Sequence, residues 1–107
     1  MLNLKIFSSL IVLVARILIK LSANGDNMNE AIEIMEEIVG DRAVPRNIRE
    51  KISNAIKKAK ENNPTTLSEA IYIMDDISND VNMPDHTRTD IWHVISLVEA
   101  MKEKMIQ

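Results

Sequence analysis

Part of this chain is written twice. Residues 30 to 56, EAIEIMEEIVGDRAVPRNIREKISNAI, align without a gap on residues 69 to 95, EAIYIMDDISNDVNMPDHTRTDIWHVI, at an offset of 39. Eleven of the 27 positions are identical: Glu30/Glu69, Ala31/Ala70, Ile32/Ile71, Ile34/Ile73, Met35/Met74, Ile38/Ile77, Asp41/Asp80, Pro45/Pro84, Arg49/Arg88, Ile52/Ile91 and Ile56/Ile95. Chance similarity between polar helices does not align an Asp, a Pro and an Arg in order without a gap. A fixed period near 40 residues limits the fold to repeated units that share one core.

Each unit reads as helix, short turn, helix. Asn27 precedes Glu30 by three and Thr66 precedes Glu69 by three, which is the spacing of a capping box. The first helix of each unit is expected to end near Gly40 and Asn79, residue types that tolerate the left-handed conformation. Pro45 and Pro84 are expected at the first position of the following helix, where a missing N–H costs nothing. Pro64 separates the units. The apolar residues keep helical spacing: Ile48, Ile52 and Ile56 in one helix, and Ile91, Val94, Ile95, Val98, Met101 and Met105 in another. Two Gly, three Pro and no Cys in 107 residues exclude both a many-stranded sheet and a disulfide framework. The expected fold is therefore all-α. Two tandem helical hairpins over residues 28–107 form a four-helix bundle or a short α-solenoid. So small a core suggests self-association or docking on a protein partner.

Residues 1–27 differ in composition, and form an apolar extension. The uncharged run between Lys5 and Arg16 is ten residues long. That is too short to cross a bilayer, which takes about 20 apolar residues. A secretory signal fits poorly, because two cations follow the apolar run and the small residues of a cleavage site are lacking. An interfacial helix over residues 4–22 is a third reading. The favoured one is that translation starts at Met28, so that membrane association arises only if residues 1–27 are expressed.

The unit resembles a HEAT-type repeat, with two helices and Asp, Pro and Arg around the turn. A more specific resemblance lies in VPRNIR (44–49) and AIYIMDDISNDVNMPDHTRTDIW (70–92). These strings resemble uncharacterised protein family 0147, short all-helical proteins of archaea, over about residues 28–104. The resemblance implies an all-helical, cytosolic, archaeal protein, and it carries over no catalytic residue. Two departures stand out: members of that family lack the apolar extension, and Val81 stands where they commonly have a Pro.

Four groups of residues invite a chemical reading. Asp41, Pro45 and Arg49 recur as Asp80, Pro84 and Arg88. They are expected to hold the turn, the Asp accepting backbone N–H groups and the Arg gripping the Asp. His86, Asp90 and His93 share one helix face and are weak candidates for a metal, since no Cys completes the set. Trp92 and the methionines at 35, 74, 101 and 105 are expected in the core. The charge is uneven within a total of −3. Residues 42–61 carry seven bases and two acids, between stretches that are strongly acidic. Arg42, Arg46, Arg49, Lys57, Lys58 and Lys60 thus form a basic stripe, able to meet an acidic partner or an RNA backbone. It has no interleaved aromatic residue for base stacking. Pairing with the acidic neighbours is the favoured reading, and nucleic acid is not the favoured partner.

No phosphate loop, serine elbow or cofactor motif is present. Glu36/Glu37 and Asp75/Asp76 point to different helix faces and make poor acid–base pairs. The expected role is that of a small non-enzymatic interaction module, an adaptor or assembly factor of the cytoplasm. An RNA- or ribosome-associated protein is the alternative, and a metal-binding protein is the weaker one.

Overall fold

The computed structural model describes residues 10–14, 17 and 27–105. Residues 27–105 form four helices: α1 (Asn27–Val39), α2 (Arg46–Glu61), α3 (Pro64–Ser78) and α4 (Asp85–Met105). Each packs against its neighbours in the chain, and α1 closes the set by packing on α4. A stacked solenoid would instead place α1 on α3 and α2 on α4, and neither diagonal forms a comparable contact. The architecture is a closed bundle.

The apolar period explains which faces meet. In α1 the buried side chains are Ala31, Met35 and Ile38, and in α3 Ala70, Met74 and Ile77, the same positions 39 residues on. Val44, Ile48 and Ile52 correspond in the same way to the buried Met83, Thr87 and Ile91. Full burial of one Met or Ile contributes about 1.5–3 kcal/mol, so this repeated stripe supplies most of the drive for packing.

The units differ where α2 and α4 differ. α2 buries one face, through Ile48, Ile52, Ala55, Ile56 and Ala59. From Ile91 to Ala100, α4 is buried except at the half-buried His93 and Glu99. A helix that is apolar all round needs cover on all sides. Part of that cover comes from residues 10–14, which are helical. Val12 joins the core, Ile11 packs against it, and the Ser96 hydroxyl donates to the carbonyls of Trp92 (2.9 Å) and Val12 (3.3 Å).

The helix ends depart from expectation in three ways. First, the capping box at α3 is not Thr66–Glu69 but Asn63–Thr66, one turn earlier. The Asn63 side chain accepts from Thr66 N at 3.0 Å, and Thr66 Oγ1 accepts from Asn63 N at 3.3 Å. Pro64 then sits inside the first turn, where its ring suits the geometry. Second, Pro45 is the N-cap of α2 and not its first residue, with an extended ψ of 145°, and Pro84 likewise precedes α4, which begins at Asp85. Third, neither Gly40 nor Asn79 is left-handed; among the described residues the only positive φ is that of Asn62, at 55°. It ends α2 and lets the chain re-enter a helix after one further residue, Asn63.

Candidate functional site

The two turns inside the hairpins share one hydrogen-bond scheme. Asp41 Oδ1 accepts from Ala43 N at 2.9 Å, and Asp80 Oδ1 accepts from Asn82 N at 2.8 Å. The backbone bonds Val44 N to Asp41 O and Met83 N to Asp80 O close each turn. The arginines do not grip these carboxylates. Arg49 Nε donates to Val44 O at 3.0 Å. Arg88 donates to Ser78 O at 2.8 Å and Asp80 O at 2.9 Å, and its third contact is to the carboxylate of Asp85 at 3.0 Å. A guanidinium offers several donors in a planar fork, so it can bond carbonyls of the turn together with the last carbonyl of a helix. With its side chain 14% exposed, Arg88 is a positioning residue for the turn.

The basic helix is paired on two sides. Lys58 Nζ lies 2.8 Å from Glu69 and Lys51 Nζ 3.6 Å from Asp76, both on α3. Lys60 Nζ lies 3.9 Å from Glu36 on α1, and Arg46 Nε donates to Glu50 at 3.2 Å within α2 itself. The hydrogen bond to Glu69, and then the charge of Glu69, hold the pKa of Lys58 above the ordinary lysine value, with a smaller contribution from Glu61. Arg42 and Lys57 have no charged partner among the described residues. Lys57 borders a shallow open groove of about 380 Å³ that Asn54, Lys58, Glu61 and Ile73 also line.

The histidines do not gather with Asp90. His86 Nε2 lies 3.5 Å from Asp41 Oδ2, whereas His93 Nε2 lies 3.1 Å from Glu30 Oε1. His93 joins α4 to the first turn of α1 and His86 joins it to the turn that follows α1, as befits two helices running in opposite directions. Among the described residues, no group of three His, Cys, Asp or Glu side chains is placed to hold a metal ion. The grouping of His86, Asp90 and His93 fails because helical spacing aligns side chains on a face, while α1 and the turn after it offer each histidine its own carboxylate. Glu30 is accordingly engaged with His93 and Glu69 with Lys58.

Trp92, Met35 and Met74 are buried, Met101 packs on the core, and Met105 lies at the exposed end of α4. Two exposed apolar residues escape a period analysis, Tyr72 at 77% and Val81 at 90% exposure. The repeat itself carries the signal for them. Tyr72 stands where the first unit has Glu33, and Val81 stands where it has Arg42. Among the described residues no helix is long and apolar enough to cross a membrane.

Comparison with known proteins identifies one family. The model of Uncharacterised protein family UPF0147 matches residues 16–101. A UPF0147 protein of Sulfurisphaera tokodaii is 37% identical over 83 residues, covering 75% of this chain and 93% of its own. One from Sulfolobus acidocaldarius is 40% identical over the same shares. One from Pyrococcus furiosus is 43% identical over 81 residues, covering 72% of this chain and 87% of its own. No solved structure matches significantly. With the family match spanning most of the chain and reaching into all four helices, the protein belongs to the archaeal family UPF0147.

Proposed function

We propose that this chain is a small, non-enzymatic interaction module of the cytoplasm, an adaptor or assembly factor that docks on a protein partner through its α2–α3 face. The observation that supports this reading is the open groove lined by Asn54, Lys57, Lys58, Glu61 and Ile73. Ile73 supplies an apolar floor, and Lys57 supplies a cation with no carboxylate to surrender among the described residues. An acidic segment of a partner meets Lys57 without breaking an existing pair. Lys58 must first leave Glu69, 2.8 Å away.

The test is affinity capture from native lysate with the wild-type chain, Lys57→Glu and Arg46→Glu. A partner lost with Lys57→Glu and kept with Arg46→Glu supports docking at the groove. A partner kept by both variants places the docking face elsewhere. An RNA-associated role is the second reading, resting on Arg42 and Lys57. It is the weaker one, because Arg46, Lys58 and Lys60 already face carboxylates within 4 Å. Absence of RNA binding at low salt, where phosphate contacts are strongest, removes it.

A further inference from the structure

Residues 10–14 and 17 are apolar on both sides, and the bundle covers only one of them. Val12 is buried and Ile11 packs against the core, while the Val12 carbonyl accepts from Ser96. The other side carries Leu10, Leu13, Val14 and Ile17, which are 54%, 43%, 56% and 50% exposed. Their spacing, i, i+3, i+4 and i+7, is that of a single helical stripe. A helix that is apolar all round is stable when something covers every face, and here one face is left open.

We infer that Leu10, Leu13, Val14 and Ile17 form a lipid-contacting stripe that lays this protein flat on an anionic membrane surface. Charge favours that occupant. Residues 1–27 contain Lys5, Arg16 and Lys20 against one acid, Asp26, whereas the remainder of the chain is strongly acidic. Cations close in sequence to an apolar stripe are the chemistry of interfacial helices, whose binding grows with buried apolar area and with attraction to anionic lipid. The attraction is local, since charges more than about 8 Å apart are screened at physiological salt. A second copy fits less well. Four half-exposed aliphatic side chains offer only a few hundred Å², against the roughly 1,200–2,000 Å² buried in stable interfaces. The stripe shares no residue with the groove beside Lys57, and α2, which carries Lys57, does not pack on α4, which Val12 meets.

The experiment is sedimentation of the full chain with vesicles of phosphatidylglycerol and phosphatidylcholine in equal parts, and with phosphatidylcholine alone. The expected result is partition onto the mixed vesicles that weakens in raised salt. Leu13→Glu and the more exposed Val14→Glu each reduce it about tenfold, the effect of losing one apolar side chain from lipid, with helical content and melting unchanged. Lys57→Glu, on α2 and outside the stripe, leaves it unaltered. Three results overturn the proposal: wild type that stays in solution with mixed vesicles, binding that Leu13→Glu and Val14→Glu both retain, or a dimer in solution that Leu13→Glu converts to monomer. The last would assign the stripe to a second copy.

Discussion

Lys58 Nζ and Glu69 Oε2 meet at 2.8 Å, the shortest of the ion pairs across the contact between α2 and α3. The two residues belong to different hairpins, so this pair helps to join one repeat to the next. Its pH dependence follows from the direction of the lysine shift. Glu69 raises the pKa of Lys58 above 10.5, first by accepting its hydrogen bond and then by charge. A raised folded-state pKa contributes stability that is fully present below the unfolded value and lost as pH rises through the folded one. Glu69→Gln is therefore expected to lower the urea midpoint slightly at neutral pH. The difference from wild type should vanish in alkaline solution above that range. The contribution is small because the pair is exposed.

Arg88 and Arg49 occupy matching positions and do unequal work. Arg88 satisfies two carbonyls and a carboxylate, while Arg49 satisfies one carbonyl. Arg88→Ala is expected to cost about 3 kcal/mol in urea unfolding and Arg49→Ala about 1.5 kcal/mol, counting about 1.5 kcal/mol for each bond to a carbonyl and nothing for the bond to the fully exposed Asp85. Equal losses would show that the second carbonyl bond contributes nothing.

Asn63→Ala removes the acceptor for Thr66 N and is expected to cost about 1 kcal/mol. Asn62→Gly acts in the opposite direction. Position 62 is left-handed, and glycine adopts that conformation without a Cβ penalty, so the melting temperature should rise. Thermal scans followed by circular dichroism read both.

Ser96→Leu separates the bundle from the segment that lies on it. The serine is fully buried and its hydroxyl touches Val12 O, so a leucine there displaces residues 10–14. Tryptic cleavage after Arg16 or Lys20 should accelerate, while a fragment containing the four helices persists. If cleavage is unchanged, the segment does not depend on this contact.

Zinc should leave the melting temperature unchanged, since His86 and His93 reach different carboxylates of the α1 region. His93→Ala should behave the same with and without zinc. A zinc-dependent rise in wild type that His93→Ala abolishes would contradict the pairing described.

How far the sequence foretold this structure depends on the range of the forces involved. The period of 39 predicts the core correctly, because burial follows a helical stripe and the stripe is written into Ile, Met and Ala positions. Helix ends are less legible. Thr66–Glu69 and Asn63–Thr66 both satisfy a spacing of three, and what separates them is Pro64, which suits the first turn. The arginines depart from expectation for a different reason. Charge suggests a carboxylate partner, yet Arg49 donates to a carbonyl of its turn, Val44 O, and Arg88 to the last carbonyl of α3, Ser78 O, and to Asp80 O in the turn. The burial of α4 on all sides was not readable locally. One of its covers, Val12, is 84 residues from Ser96 in the chain.

The packing of α1 on α4 has a consequence for growth. An open array of hairpins can lengthen, because its last unit presents the same surface that its first unit filled. Here that surface is consumed within the molecule, and Glu30 with His93 lies across the closure. A third copy of the 39-residue unit would find no unfilled place on either end. Two units complete the ring, and duplication beyond them would have to open it.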